Sequence, residues 1–205
     1  MAKIKLTKGE LKRQRDALRQ YERYLPTLQL KKQQLQLEIL FQITILTERK
    51  HLESKKRDAI RPWIAVLADP GTDISQWIKP KDVATQLKNI AGVDIPVFVK
   101  AQFVSAEYDL FSTPLWVDAA IEALRVLVSL EKEVATIEEG VHILRHELRI
   151  TTQRVNLFEK VKIPQAREAI RLIRIYIGDQ MANAVGRSKI AKRKIEEMVL
   201  EEVAA

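Results

Sequence analysis

Apolar residues recur every seven positions along the first quarter of the chain, with a companion row three or four residues away. The two rows contain Leu11, Leu18, Tyr21, Leu25, Leu28, Leu35, Ile39 and Leu46. Alternating spacings of three and four keep one narrow stripe facing a partner helix. Thr7 and Glu10 form a T-x-x-E capping box just before the stripe begins. The pattern predicts a long amphipathic helix, although polar residues such as Lys32, Gln42 and Arg49 weaken the stripe in places.

A second pair of apolar rows begins after Thr113 and Pro114 and extends almost to the C-terminus. Its rows contain Leu127, Leu130, Val134, Ile137, Val141, Leu144, Leu148, Val155 and Phe158. At Pro164 the stripe shifts one position out of phase and continues through Ile163 and Ile170. A proline has no N–H to donate, so this slip predicts a bend at Pro164.

The two stripes predict a mainly α fold, in which the N- and C-terminal helices form a long antiparallel two-helix coiled coil. Each helix approaches or exceeds about 50 residues, or roughly 75 Å at 1.5 Å per residue, so neither can enclose a core alone. The residues expected in the seam between the helices are Leu11, Leu18, Leu25, Leu28, Leu35, Ile39, Leu46, Val134, Ile137, Val141, Leu144, Leu148, Val155 and Phe158.

Proline separates the two helical regions, since five of the seven prolines lie between Arg61 and Pro114. A proline costs about 3 kcal/mol in a helix interior. We therefore expect an N-terminal helix over 1–67, an insert over 68–113 and a C-terminal helix over 114–205, together forming one structural unit.

The insert combines a turn signal at 69–73 with two segments rich in β-branched and aromatic residues. These segments, 83–90 and 93–104, flank Ala91-Gly92 and predict a short hairpin, with Pro96 at an edge or a bulge. About 45 residues make too small a core for independent stability, so the insert should pack on the helix pair. Trp63, Trp77 and Trp116 are expected to form that contact, and a partner-facing aromatic anchor is the alternative.

Several classes of chemistry have no support in this sequence. Without cysteine there is no disulfide, thiolate metal site or thiol nucleophile, and no glycine-rich phosphate loop is present. His142 and His146 lie four apart, but Arg145 and Arg149 beside them would repel a cation. We expect no catalytic, cofactor-binding or metal-binding residue, and no membrane span or signal peptide. Gly140, Gly178 and Gly186 interrupt the helical pattern, either at a close approach or flexure, or because they are simply tolerated there.

The chain carries 35 basic and 27 acidic residues, a net charge of +8. In an antiparallel helix pair, the basic groups of both termini lie toward the same end. This basic tip comprises Lys12, Arg13, Arg15, Arg187, Lys189, Lys192, Arg193 and Lys194. The basic tip has three interpretations. It is a solvated helix face, it binds nucleic acid, or it lies within a partner that carries acidic loops. No base-stacking aromatic platform accompanies the tip, which argues against single-stranded nucleic acid.

The segment Arg154–Pro164, RVNLFEKVKIP, closely resembles the R-V-N-A-L-E-x-x-x-I-P signature of the D subunits of V/A-type ATPases. Residues 6–8 are similar to the N-terminus of that family, and residues 87–97 are similar to its central hairpin. The resemblance covers essentially the whole chain. One departure stands at 31–35, KKQQL, where the family usually has K-x-K-R-D-x-L, and it suggests a bacterial side branch.

The resemblance implies a central-stalk rotor that couples ATP turnover to ion movement by turning and performs no bond chemistry. It implies as partners the catalytic A and B subunits of the head, the small F subunit and an adaptor on the membrane ring. It also implies a cytoplasmic, membrane-peripheral location, with no cofactor, nucleic acid or direct membrane insertion. Motif residues Arg154, Asn156, Glu159 and Pro164 are then possible partner contacts, and Arg154 and Glu159 are alternatively expected to help fix helix register. The competing interpretations are a basic coiled-coil arm that binds nucleic acid and a non-motor scaffold.

Overall fold

A computed structural model describes residues 5–68, 74–109 and 113–204 of the chain. In chain order the elements are α1 (Lys8–Ile60), a 3₁₀ segment (Arg61–Ala68), α2 (Ser75–Ile78), β1 (Pro80–Ile90), β2 (Val93–Phe103), α3 (Trp116–Leu157), a π turn (Phe158–Lys162) and α4 (Ile163–Ala204). The predicted mainly α fold with a central hairpin is confirmed. The predicted turn at 69–73 lies outside the described residues.

The described residues form two compact units. One contains the chain up to Gln29 together with the chain from Gln153, and the other contains Leu30–Thr152. In the second unit, α1 and α3 are antiparallel. Lys31 contacts Glu147, whereas Lys50, further along α1, contacts Glu138, which is earlier on α3. In the first unit, the start of α1 packs beside the π turn and α4, through Tyr21 and Glu22.

The fourteen residues expected in the seam are all buried or half-buried. Leu35 and Leu144 have no exposed surface, and both belong to one core cluster. Full burial of a leucine side chain contributes about 1.5–3 kcal/mol relative to exposure. Removal of this apolar surface from water is therefore the main force that holds α1 against its partner helix.

The start of α1 contains only half of the predicted capping box. The Glu10 N–H donates to Thr7 Oγ1 at 3.2 Å, as predicted. The reciprocal bond is absent, because the Thr7 N–H donates to the Lys5 carbonyl and the Glu10 carboxylate accepts from Gln14 Nε2 at 2.7 Å. The Glu10 carboxylate thus bonds to the Gln14 side chain, one turn further along the helix, and not to the Thr7 N–H.

The phase slip near Pro164 coincides with a π turn just before the proline, which the sequence did not predict. Over Phe158–Lys162 the helix makes wider turns, and the Ile163 N–H donates to the Phe158 carbonyl five residues earlier. A π turn accommodates one extra residue, which is the size of the slip in the sequence. Ile163, Ile170 and Ile173 are consequently buried again beyond it. Pro26, by contrast, lies inside α1 without interrupting it.

The insert contains the predicted hairpin, slightly longer than expected. β1 and β2 pair antiparallel around Ala91 and Gly92, whose φ angles of 51° and 76° are both positive. This is the backbone of a two-residue type I′ turn, which matches the right-handed twist of the strands. Pro96 pairs with Leu87 in the regular ladder, and the register shifts occur at Lys81 and Val99 instead. In a two-stranded sheet both strands are edges, so Pro96 is tolerated.

The hairpin shares a core with both long helices. Ile95 of β2 is only 2% exposed and lies in one cluster with Leu35 and Ile39 of α1 and Leu144 of α3. Gly140 lies under the same strand, where an added Cβ would be 3.8 Å from the Ile95 Cβ. The insert thus completes its core with helix residues, as its small size requires.

Candidate functional site

A second core, where the insert joins the helices, contains the three tryptophans. Buried Ile74, Val117, Ala120 and Ile121 form its centre, with Trp63, Trp77 and Trp116 half-buried around them. The Trp77 and Tyr108 rings are 5.1 Å apart, and the Tyr108 hydroxyl donates to Asp118. The expected junction core is therefore present.

Arg125 ties this junction together, and the sequence analysis did not single it out. Its Nε donates to the Trp77 carbonyl at 3.0 Å, and its Nη2 donates to the Val104 carbonyl at 2.6 Å. Its guanidinium also lies 5.5 Å from the centre of the Phe103 ring. One α3 side chain thus holds both ends of the insert. No local pattern could have identified it, because its partners are backbone atoms 21 and 48 residues away.

Ion pairs flank the seam, and one of them involves Arg49, a polar position that weakens the apolar stripe in the sequence. Arg49 Nε lies 3.1 Å from Glu133 Oε1, and Lys50 Nζ lies 2.6 Å from Glu138 Oε1. Lys31 Nζ lies 2.9 Å from Glu147 Oε1. Exposed pairs of this kind contribute about 0–1 kcal/mol each. Their effect is to favour one register of α1 against α3 more than to add stability.

The histidine pair lies on the exposed side of α3. His142 and His146 are exposed, and the neighbouring Glu138 is engaged by Lys50. Within the described ranges, no three His, Cys, Asp or Glu side chains are placed to hold a metal ion.

The motif Arg154–Pro164 divides into a buried half and an exposed half. Val155 is buried, and the Phe158 ring lies 5.3 Å from the Tyr21 ring. Arg154, Asn156, Glu159 and Pro164 are exposed. Over the residues that the structure describes, the side chains of Arg154 and Glu159 make no hydrogen bond or ion pair. The π turn and the buried half of the motif therefore maintain helix register.

The basic tip is exposed throughout but is less positive than its sequence indicates. Lys192 and Arg193 pair with Glu196 and Glu197 one turn later, at 3.6 and 2.9 Å. Every side chain described from 178 to 199 is exposed, including the apolar Met181. The C-terminal half of α4 therefore presents mixed basic and apolar surface.

An open groove of about 730 Å³ between α1 and α4 is lined by five arginines. Its lining consists of Arg15, Leu18, Arg19, Glu22, Arg167, Ile170, Arg171, Arg174 and Ile175. Of the eight predicted tip residues, only Arg15 belongs to this described lining. The sequence analysis missed the groove, although the four-residue spacings from Arg15 to Arg19 and from Arg167 to Arg171 were a usable signal.

Two of the groove arginines are fixed by carboxylates. Arg171 donates from Nη2 and Nε to the two oxygens of Glu168, at 2.6 and 2.9 Å. This pairing lowers the pKa of Glu168 below its ordinary value and raises that of Arg171. Arg167 Nη2 donates to Glu22 Oε1 at 2.8 Å.

The outer face of α1 carries a large exposed apolar patch. Leu30, Leu37, Leu40 and Phe41 are each more than half exposed, with Leu37 at 68%. These residues lie out of phase with the seam, so α1 is apolar on two faces in this region. The signal is present in the sequence, but the stronger rhythm of the seam obscures it. Such an exposed patch is typical of a surface that a partner covers.

Across the described parts of the chain, no helix has the length and apolar character needed to cross a bilayer. A family model for the D subunit of ATP synthases matches residues 10–193. The D subunit of a V-type ATP synthase from Borreliella burgdorferi is 46% identical over 95% of this chain and 96% of its own length. Relatives with the same description from Chlamydia trachomatis serovar L2 and Chlamydia caviae are 32% and 34% identical, each over 96% of this chain and over 98% and 95% of their own lengths. The chain therefore belongs to the family of ATP synthase D subunits.

Proposed function

We propose that this chain is the central-stalk rotor shaft of a V-type ATP synthase. It couples ATP hydrolysis or synthesis in the catalytic head to ion transport by rotating, and it performs no bond chemistry itself. The observation that supports this role most strongly is the pairing of α1 with a partner helix in each unit, with α3 in one and with α4 in the other, around buried apolar residues. A shaft must transmit torque, and two helices that share a close-packed core resist twisting better than one.

The proposed partners are those that the family resemblance implies, and the exposed surfaces offer sites for two kinds of them. The catalytic A and B subunits of the head surround the exposed C-terminal part of α4, where mixed basic and apolar side chains have no cover from this chain. The small F subunit covers the apolar patch of α1, since a patch of this kind favours a permanent partner. An adaptor on the membrane ring completes the set. The chain then acts at the cytoplasmic side, peripheral to the membrane and without a cofactor.

Exposed motif residues also fit a partner contact in this role. Arg154, Asn156 and Glu159 project from the π turn and the residues just before it, where the buried half of the motif fixes the backbone that carries them. A rigid backbone lowers the entropy lost when a partner binds. We assign these three residues to contact with another subunit of the complex.

Affinity purification of the tagged chain from its own cells at moderate salt, followed by native mass spectrometry, tests this proposal. We expect large nucleotide-binding subunits together with a small partner of roughly 100 residues, the size of a small domain. Recovery of nucleic acid without those subunits would contradict the rotor. A homodimer of the chain alone would favour a scaffold instead.

A further inference from the structure

We propose that the five-arginine groove between α1 and α4 binds a short acidic segment of a partner protein. The groove lies entirely within the unit formed by the two ends of the chain. Its identification as an acidic-peptide site rests on the described residues alone. The proposed function enters only in naming the nucleotide-binding subunits of the head as the source of the segment.

The cations of the groove are arginines, and no lysine lines it in the described part of the chain. A guanidinium offers a planar fork that matches a carboxylate in two parallel hydrogen bonds, whereas an ammonium is a compact point charge. The groove itself contains an example, since Arg171 holds both oxygens of Glu168. The same geometry is open to the carboxylates of a partner.

The arginines that remain available come from both helices of the groove, Arg15 and Arg19 from α1 and Arg174 from α4. Arg15 and Arg174 have no ion pair among the described residues, and the Arg19 Nη1 lies 4.0 Å from Asp16 Oδ1, a long contact between two exposed side chains. Arg167 and Arg171 are already oriented by Glu22 and Glu168. The groove therefore combines fixed cations with free ones and keeps a positive excess.

The dimensions of the groove suit an extended peptide of a few residues. Arg167 and Arg174 are seven residues apart, or roughly 10 Å along α4 at 1.5 Å per residue. An extended chain covers this distance in about three residues. Leu18 and Ile170 form an apolar floor, and low polarity beneath the charges strengthens their attraction.

A polyanion other than protein fits the groove less well. Single-stranded nucleic acids gain affinity from bases stacked on aromatic rings, and the described lining of the groove contains no aromatic side chain. Glu22 in the lining would also oppose a continuous row of phosphates, whereas a peptide with spaced carboxylates can avoid it.

The test uses the full chain and poly-L-glutamate as the probe, with binding measured by calorimetry at physiological salt. The groove variant carries Arg15→Gln, Arg19→Gln and Arg174→Gln. The control variant carries Arg23→Gln, Arg145→Gln and Arg149→Gln, which are exposed, have no described ion pair and lie outside the groove lining. Both variants lose three positive charges. We expect binding to weaken about tenfold or more in the groove variant only, because close charge pairs and not net charge carry it.

Equal weakening in both variants would show a net-charge effect and overturn the inference, as would absence of binding by the unmodified chain. A single-stranded oligonucleotide that binds more tightly than poly-L-glutamate, and only when the groove is intact, would also overturn it. Circular dichroism should show unchanged helicity, since all six side chains are exposed.

Affinity purification of the same variants separates this inference from the proposed function. If the nucleotide-binding subunits co-purify with the groove variant at every salt concentration that the unmodified chain tolerates, the rotor stands and the groove inference fails. If poly-L-glutamate binding requires the groove but no such subunits are recovered, the rotor fails and the acidic-segment site stands.

Discussion

At the residue scale, the three glycines in the C-terminal helical region differ in their surroundings, although the sequence alone could not distinguish them. A Cβ added at Gly140 would lie 3.8 Å from the Ile95 Cβ, whereas one added at Gly178 or Gly186 would meet open space. Each glycine costs a helix about 1 kcal/mol relative to alanine. The three share the same local pattern, so only the fold reveals that one of them lies under the hairpin.

Substitution at these glycines should separate the two environments. Gly140→Ala and Gly178→Ala should each stabilise the protein by about 0.4–1 kcal/mol, because a methyl group meets only ordinary contacts at either site. Gly140→Leu should instead destabilise by about 1–3 kcal/mol, since the larger side chain displaces Ile95. Gly178→Leu is the matched control and should cause little change. Urea unfolding followed by circular dichroism measures all four, and equal effects of leucine at both sites would refute the packing.

At the element scale, the helical stripes and the hairpin were predictable from periodicity because each is a local property of the sequence. Leu35, Leu144 and Val155 were expected in the seam and are buried. The phase slip at Pro164 was also visible, but its origin was not. A bend and a π turn give the same shift in sequence, and only the hydrogen bond from Ile163 to Phe158 distinguishes them.

The π turn leads to a prediction about deletion. Without Val161, and with Pro164→Ala to restore a donor, Val155 and Ile163 become seven positions apart in an uninterrupted α-helix. The apolar face then continues in phase, so the urea midpoint should remain near that of Pro164→Ala alone. Deletion of Glu139 from regular α3 is the control. It rotates the following seam residues by about 100° and should unfold the pair. Equal loss of stability from both deletions would mean that the π turn is not the source of the slip.

The seam also predicts that acidic substitutions on the two sides of α3 have different effects. Leu144→Asp combined with Leu148→Asp should collapse the helix pair, since unpaired buried charge in the core costs several kcal/mol. His142→Asp combined with His146→Asp adds acidic groups at the same spacing on the exposed side of α3, and it should be tolerated. Circular dichroism and the hydrodynamic radius distinguish the two outcomes. Retained helicity and an unchanged radius in the leucine variant would show that α1 and α3 do not pair through these residues.

The apolar patch on the outer face of α1 also leads to a prediction at the element scale, about binding of the small partner. Leu37→Glu combined with Leu40→Glu should release the small partner during affinity purification while the large subunits remain bound, because the patch is exposed and distinct from the seam. Gln33→Glu combined with Gln36→Glu adds the same two charges at exposed positions nearby and serves as the control. Native mass spectrometry reads the composition. Loss of the small partner from the control as well would assign the effect to charge.

At the scale of the whole molecule, the sequence predicted the two helical regions, their antiparallel pairing and the hairpin, but not the contacts made by individual polar side chains. Arg125 holds backbone atoms on both ends of the insert, and the arginine groove requires α1 to lie beside α4. Neither could be found by periodicity, because the residues concerned are up to about 160 positions apart in the chain. The resemblance of the Arg154–Pro164 motif was sufficient to identify the family. In the structure, the buried part of that motif and its π turn maintain helix register, and its other residues are exposed.

Rotation of this chain inside its complex tests the central claim most directly. The chain contains no cysteine, so Ser54→Cys at an exposed position of α1 provides one attachment point for a bead. With the nucleotide-binding subunits fixed to a surface, we predict continuous rotation in one direction when ATP is supplied and none without it. A bead attached to a nucleotide-binding subunit should remain still. A complex that hydrolyses ATP while the bead on this chain stays stationary would contradict the rotor.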